Sequence, residues 1–174
     1  MKHEKLKEFL KPDAMKQLSR DYVLEQEDLT ILSWDDVIEY GKEWDDDIDW
    51  DYHGYRICDV SGEEVVPFTG LLYQLHDDGS LWWYDHYEDG LGTGPEAAFF
   101  ISGLLRKFGC YEWYETGQIR SYSVYQKNAG VCESYEWYES GMIKKYTCRD
   151  RRGFAVRYIE YDEAGNITKE VKRQ

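Results

Sequence analysis

The 174-residue sequence lacks any run approaching the roughly 20 apolar residues of a membrane-spanning helix. Its first segment, MKHEKLKEFLKPDAMKQL, is charged throughout and has no apolar stretch of the kind a secretory signal requires. Cysteine is sparse and scattered: Cys58, Cys110, Cys132 and Cys148 form no Cys-x-x-Cys pair, which speaks against a zinc site or disulfide framework and for reduced thiols. These absences point to a soluble protein of the cytoplasm. Proline is scarce as well, yet scarcity of order is not implied. Disordered chains are poor in aromatics, and here 17% of residues are Phe, Trp or Tyr.

Basic residues are missing from the middle of the chain. Residues 21–100 carry 22 acidic side chains against two basic ones, Lys42 and Arg56, while both flanks are slightly basic, so the formal net charge is −14. A field of this sign repels nucleic acid and anionic lipid and draws in basic partners.

What is present is aromatic, glycine-punctuated and periodic. Tyr111–Tyr122 reads YEWYETGQIRSY and Tyr135–Tyr146 reads YEWYESGMIKKY, 24 residues later; a looser copy, YIEYDEAGNITKE, begins at Tyr158. Gly79 and Gly103 fit the same frame and lie 24 apart, with Gly62 as a weaker member. An aromatic and β-branched run, a polar turn with glycine, then a second alternating run is the pattern of a hairpin. Glu112 and Glu115 before one turn face Arg120 after it, and Glu136 and Glu139 face Lys144 and Lys145. Cross-strand pairs of this kind add about 0.2–1 kcal/mol each. A single hairpin is marginal alone, so the units must stack into a continuous sheet. The expected fold is mainly β: an array of antiparallel hairpins over residues 55–174, with a helical and acidic N-terminal cap over residues 1–54, one compact unit in all. In that cap, LKEFLKPDAMKQL has helical spacing broken by Pro12, and Ser33 three residues before Asp36 marks a capped helix start.

The stretch PFTGLLYQLHDDGSLWWYDHYEDGLGTGP (67–95) and the two YEWYE copies resemble bacterial MORN-like repeat proteins, a group that includes antitoxin and immunity components of toxin systems. The likeness covers roughly residues 60–170 and implies a stacked hairpin sheet that binds a protein, with no catalytic residues to carry over. The units at Gly103 and Gly117 are closer together than that pattern allows, and residues 1–54 have no counterpart in it.

No motif supports catalysis or a cofactor. WDDDIDWD (44–51) spaces Asp45, Asp47 and Asp49 as the first ligands of a calcium loop, but Trp50 and Arg56 stand where the loop needs Gly and Glu. His76 and His86 flank the Gly79 turn, a spacing open to a metal across a hairpin but more often that of exposed strand positions. GLGTGP (90–95) has no lysine to serve a phosphate. The expected site is therefore a docking surface for a basic protein such as a toxin. It comprises Asp35, Asp36, Glu39, Asp45, Asp46, Asp47 and Asp49, with Trp44 and Trp50 as anchors, since Trp is enriched where interfaces concentrate their energy. The alternative is a scaffold or carbohydrate-binding module using the aromatic face of the hairpin sheet.

Overall fold

The computed structural model describes residues 12–26, 31–126 and 130–173. Among these residues three short helices, α1 (Pro12–Gln17), α2 (Arg20–Gln26) and α3 (Trp34–Tyr40), precede fifteen strands. The chain divides into two compact units, Thr30–Gly109 and the pair of segments Met1–Leu29 and Cys110–Gln174. This differs from the boundary expected after residue 54: residues 31–54 build into the first unit, and residues 12–26 belong with the C-terminal hairpins. The first eleven residues, half of the expected first helix, lie outside the described residues.

In the unit of residues 30–109, Ser33 caps α3. Its Oγ accepts the Asp36 N–H at 3.2 Å, and the Asp36 carboxylate accepts the Ser33 N–H at 3.2 Å. The helix buries Val37 completely and ends at Gly41, where a Cβ would lie 2.5 Å from the Val37 carbonyl oxygen and 2.7 Å from the Tyr73 ring. Only glycine lets the chain pass there from helix to strand. The next strand, β1 (Gly41–Glu43), pairs in parallel with β5 (Gly70–Leu75), a departure from the all-antiparallel expectation. The reason is the long connection between them, which holds a small antiparallel sheet of β2 (Ile48–Trp50), β3 (Ile57–Asp59) and β4 (Val66–Pro67). From β5 the ladder continues antiparallel through β6 (Leu81–Glu88), β8 (Ala97–Phe99) and β9 (Leu105–Phe108), with β7 (Leu91–Gly92) on the end of β6. Ile48, Ile57 and Leu72 form a buried cluster against which Trp44, Phe68, Trp83 and Tyr87 pack.

The other unit is an antiparallel meander of β10 (Tyr111–Trp113), β11 (Ile119–Gln126), β12 (Gly130–Trp137), β13 (Ile143–Arg149), β14 (Ala155–Tyr161) and β15 (Ile167–Lys172). Its turns at Gly117, Gly141, Gly153 and Gly165 share one geometry with those at Gly79 and Gly103. The residue three before the glycine accepts the glycine N–H and donates its own N–H across the turn, as Tyr138 does with Gly141 and Met142. The six glycines 79, 103, 117, 141, 153 and 165 have φ between 78° and 85°. A tight turn followed by a left-handed bulge residue is the usual three-residue-loop solution. Gly153 is a turn that the aromatic frame did not reveal, and Gly62 is not one, since its φ lies outside the left-handed region.

From Gly141 to Gly165 the 24-residue period spans two strands, β13 and β14, and the turn at Gly153 between them. Tyr111, Tyr122, Tyr135, Tyr146 and Ile159 are successive cross-strand partners along one row. Trp113 stacks on Tyr111 at 5.7 Å and Trp137 on Tyr135 at 6.0 Å. Both tryptophans are buried on that face. The Trp113 indole N–H donates to the Leu18 carbonyl at 2.8 Å, and the Arg20 N–H donates to Gly117 at 3.1 Å, so the α1–α2 junction docks on the first hairpin. A second device recurs with the repeat. The Tyr114 hydroxyl donates to the Trp137 carbonyl at 2.8 Å and the Tyr138 hydroxyl to the Tyr161 carbonyl at 2.9 Å, each reaching 23 residues ahead. His76 Nε2 stands in the same relation to the Phe99 carbonyl, 3.2 Å away and again 23 residues on. In the copy at Gly165, Asp162 stands where the tyrosine would be and accepts the Asn166 N–H of its own turn at 2.8 Å.

Candidate functional site

Charge segregates by unit. Residues 30–109 hold 18 acidic and four basic side chains, the whole of the net −14, whereas the remainder of the chain holds 17 of each. Of its cations, Lys42 pairs with Asp59 at 3.1 Å, Arg56 with Asp89, and Lys107 with Glu96. The surface of this unit therefore presents a strong excess of carboxylates.

The acidic residues singled out in the sequence fall into three settings. Asp35 and Glu39 are exposed on α3, and Asp36 serves the helix cap. Asp45, Asp46, Asp47 and Asp49 are exposed on the turn leading into β2 and its outer edge. Carboxylates there fold back on the backbone: Asp45 accepts the Asp47 N–H at 3.0 Å and Asp49 the Trp50 N–H at 2.7 Å. Among the described residues no three His, Cys, Asp or Glu side chains converge to hold a metal ion. The two tryptophans part company. Trp50 is 52% exposed, as an anchor must be. Trp44 packs on the Ile48, Ile57 and Leu72 cluster and meets Trp83 edge-on at 6.1 Å, so it is a core side chain and not a free anchor.

The more prominent aromatic feature lies just beyond, in the β2–β3 loop. Tyr52 is 99% exposed and Tyr55 77%. The His53 ring lies 5.3 Å from that of Tyr52 and 6.4 Å from that of Tyr55. The loop is rigidly tied at its base. Asp51 accepts the Tyr55 N–H at 2.7 Å on its side chain and the Gly54 N–H at 2.9 Å on its carbonyl, while its own N–H donates to Arg56. The Tyr55 amide is the leading reason the Asp51 carboxyl sits below the usual range. Nearby, the Ser61 hydroxyl, with the Ser61 amide and Lys42, brings the Asp59 carboxyl down to about 2. Fixed backbone under exposed rings means little conformational entropy is lost on contact. The sequence signal for it is DWDYHGYR, aromatics beside a glycine inside an acidic turn, which lies outside the periodic hairpin frame. A second surface feature of this unit is a hollow of about 460 Å³ walled by Leu32, Trp34, Leu81 and Phe99, with Asp78 at its edge.

No family model matches the chain, and no characterised protein sequence matches it. Among solved structures it is similar to a crystal structure of accessory secretory protein 1, 2 and 3 in Streptococcus pneumoniae, at 15% identity and a TM-score of 0.27. The match covers 84% of this chain but 23% of that one, so the chain spans less than a quarter of that protein's length. A likeness at that level bears on neither fold nor function.

Proposed function

We propose that the chain is a protein-binding protein of the immunity or antitoxin type, acting in the cytoplasm by capturing a basic protein on the unit of residues 30–109. The observation that carries this reading is the confinement of the entire −14 charge to the unit that also displays Trp50, Tyr52 and Tyr55. Carboxylates would steer the encounter, and the rings would supply the short-range contacts that hold the complex. Trp113, Trp137, Tyr135 and Tyr146 on the aromatic face of the hairpins are buried, which favours the acidic unit over that face as the contact surface. The test is association and dissociation kinetics with the basic product of a neighbouring gene at two salt concentrations. Steering by charge requires that salt slow association more than it speeds dissociation. Absence of binding, or a rate of association indifferent to salt, would count against the reading.

A further inference from the structure

A shift of 38 residues carries the ladder of β5, β6, β8 and β9 onto that of β10, β11, β12 and β13. The pair Tyr73 and Tyr84 becomes Tyr111 and Tyr122, Tyr84 and Ala97 becomes Tyr122 and Tyr135, and Phe99 and Leu105 becomes Trp137 and Ile143. The turn glycines 79 and 103 fall on 117 and 141, so each unit carries the same pair of turns. The two pairs differ in what lies over them. In the C-terminal hairpins the α1–α2 segment fills the space: a Cβ on Gly117 would lie 3.4 Å from the Arg20 guanidinium, and one on Gly141 3.9 Å from the Met15 methyl. Arg20 also reaches the Glu115 carbonyl, 3.5 Å away, and Ile119 and Trp137 are buried. Over Gly79 and Gly103 nothing among the described residues comes within 4 Å of a Cβ position. The counterparts of Ile119 and Trp137 are Leu81 and Phe99, and both line the hollow of about 460 Å³ together with Leu32 and Trp34. There Phe99 is only part-buried, and Trp34 is exposed.

We propose that this hollow takes a short segment of a partner protein that presents an apolar side chain and, five residues on, a basic one, the spacing of Met15 and Arg20. The inference deepens the reading of residues 30–109 as the surface for a basic protein, and it rests on that reading. The apolar half of the occupant is set by the walls, since Leu32, Trp34, Leu81 and Phe99 gain from contact with a large aliphatic or thioether side chain. The basic half is set by charge. Asp78 lines the hollow where the filled copy has Thr116, Asp77 stands beside it at the position of Glu115, and Asp35 follows Trp34 in the chain. No basic side chain is among the described residues that line the hollow. The Asp78 carboxylate accepts the Ser80 N–H at 2.9 Å and the Ser80 hydroxyl at 2.6 Å, both neutral donors that leave its charge uncancelled. The walls are set in advance: the Tyr84 hydroxyl accepts the Leu32 N–H at 3.0 Å, and the Tyr84 ring lies 6.1 Å from that of Phe99. A slot built this way loses little conformational freedom when filled.

The probe is the acetylated peptide amide MKQLSR, the chain's own residues 15–20, titrated into the isotope-labelled full chain at constant ionic strength and followed by amide chemical shifts. Saturable shifts at Leu32, Trp34, Gly79, Leu81 and Gly103 are expected, with a Kd on the order of millimolar for so short a segment. Replacing the peptide's methionine and leucine by alanine, or its lysine and arginine by glutamate, should weaken binding at least several-fold. Trp34→Ser in the protein should do the same, with circular dichroism and Tm as the check on its fold. If that variant does not fold, Asp35→Lys with Asp77→Lys, both exposed, takes its place against the same threshold. Shifts centred on Gly117 and Gly141, equal affinity for the charge-reversed peptide, or undiminished binding in a folded variant would overturn the proposal. So would shifts at the hollow that grow with protein concentration in the absence of peptide, which would give the hollow to a second copy. Kinetics with the neighbouring-gene basic protein separate this inference from the function it rests on. Equal binding of that protein to the parent and to Trp34→Ser would sink the hollow alone, whereas a saturable peptide site without binding of that protein would uphold the hollow and sink the function.

Discussion

Alanine at Gly153 isolates the backbone cost of the turn on which the whole array depends. Its φ is +83°, and a Cβ placed there meets nothing within 4 Å, so no packing term enters. The cost is the left-handed conformation alone, about 1–2 kcal/mol for a residue with a Cβ. For a chain of this size that is a fall in Tm of about 2–8 °C. Gly62 provides the contrast. It lies outside the left-handed region, and its added Cβ would sit at ordinary contact, 3.8 Å from the Glu64 carbonyl oxygen. Gly62→Ala should be neutral or stabilise by up to about 1 kcal/mol, by restricting the unfolded chain. Asparagine at position 153 should recover part of the loss, because it tolerates the left-handed region. Thermal and urea unfolding followed by circular dichroism read all three variants. A neutral Gly153→Ala, or an equal loss at both glycines, would refute the assignment of bulge turns.

Three further outcomes follow from the packing. Trp113→Ala and Trp137→Ala should each cost about 3–5 kcal/mol in urea unfolding, since both rings are buried in one stacked face. Tyr138→Phe should cost about 0.5–1.5 kcal/mol by removing the hydroxyl that ties its turn to the Tyr161 carbonyl, whereas Tyr125→Phe, on a side chain 62% exposed, should change nothing measurable. Burial first, then the charges of Asp85 and Glu96, push the Tyr87 hydroxyl up to about 12. A raised pKa in the folded state means the associated stability is complete below the ordinary value of about 10 and is lost as pH rises toward 12. Phenolate absorbance should therefore lag behind that of a free tyrosine until the fold opens, and normal ionisation in the folded protein would contradict the burial.

The hairpin array was legible because a turn with a left-handed residue must announce itself as glycine, and because Tyr–Glu–Trp–Tyr recurs with its packing role. Gly153 does not stand out in the sequence because its turn, Asp150–Phe154, lies between the copies and carries no aromatic frame. The Ser33 cap was readable for a local reason: its hydrogen bonds span three residues. The parallel pairing of β1 with β5 was not, because it depends on a contact between Gly41 and Leu71 that no local pattern encodes. Trp44 and Trp50 illustrate the same limit at the candidate site. Their acidic surroundings in sequence are alike, yet one ring turns to Trp83 and the other to solvent. Composition located the acidic stretch, and tertiary structure decided which of its rings are displayed.

The most direct test of the account is the affinity of the neighbouring-gene basic protein for two variants, Asp45→Lys with Asp46→Lys and Asp47→Lys, and Tyr52→Ala with Tyr55→Ala. These side chains are exposed, so circular dichroism and Tm should stay close to those of the parent. The triple reversal should slow association by about tenfold or more, and the double truncation should speed dissociation with little change in the association rate. Unchanged kinetics in both folded variants would contradict the assignment of binding to this acidic, aromatic surface.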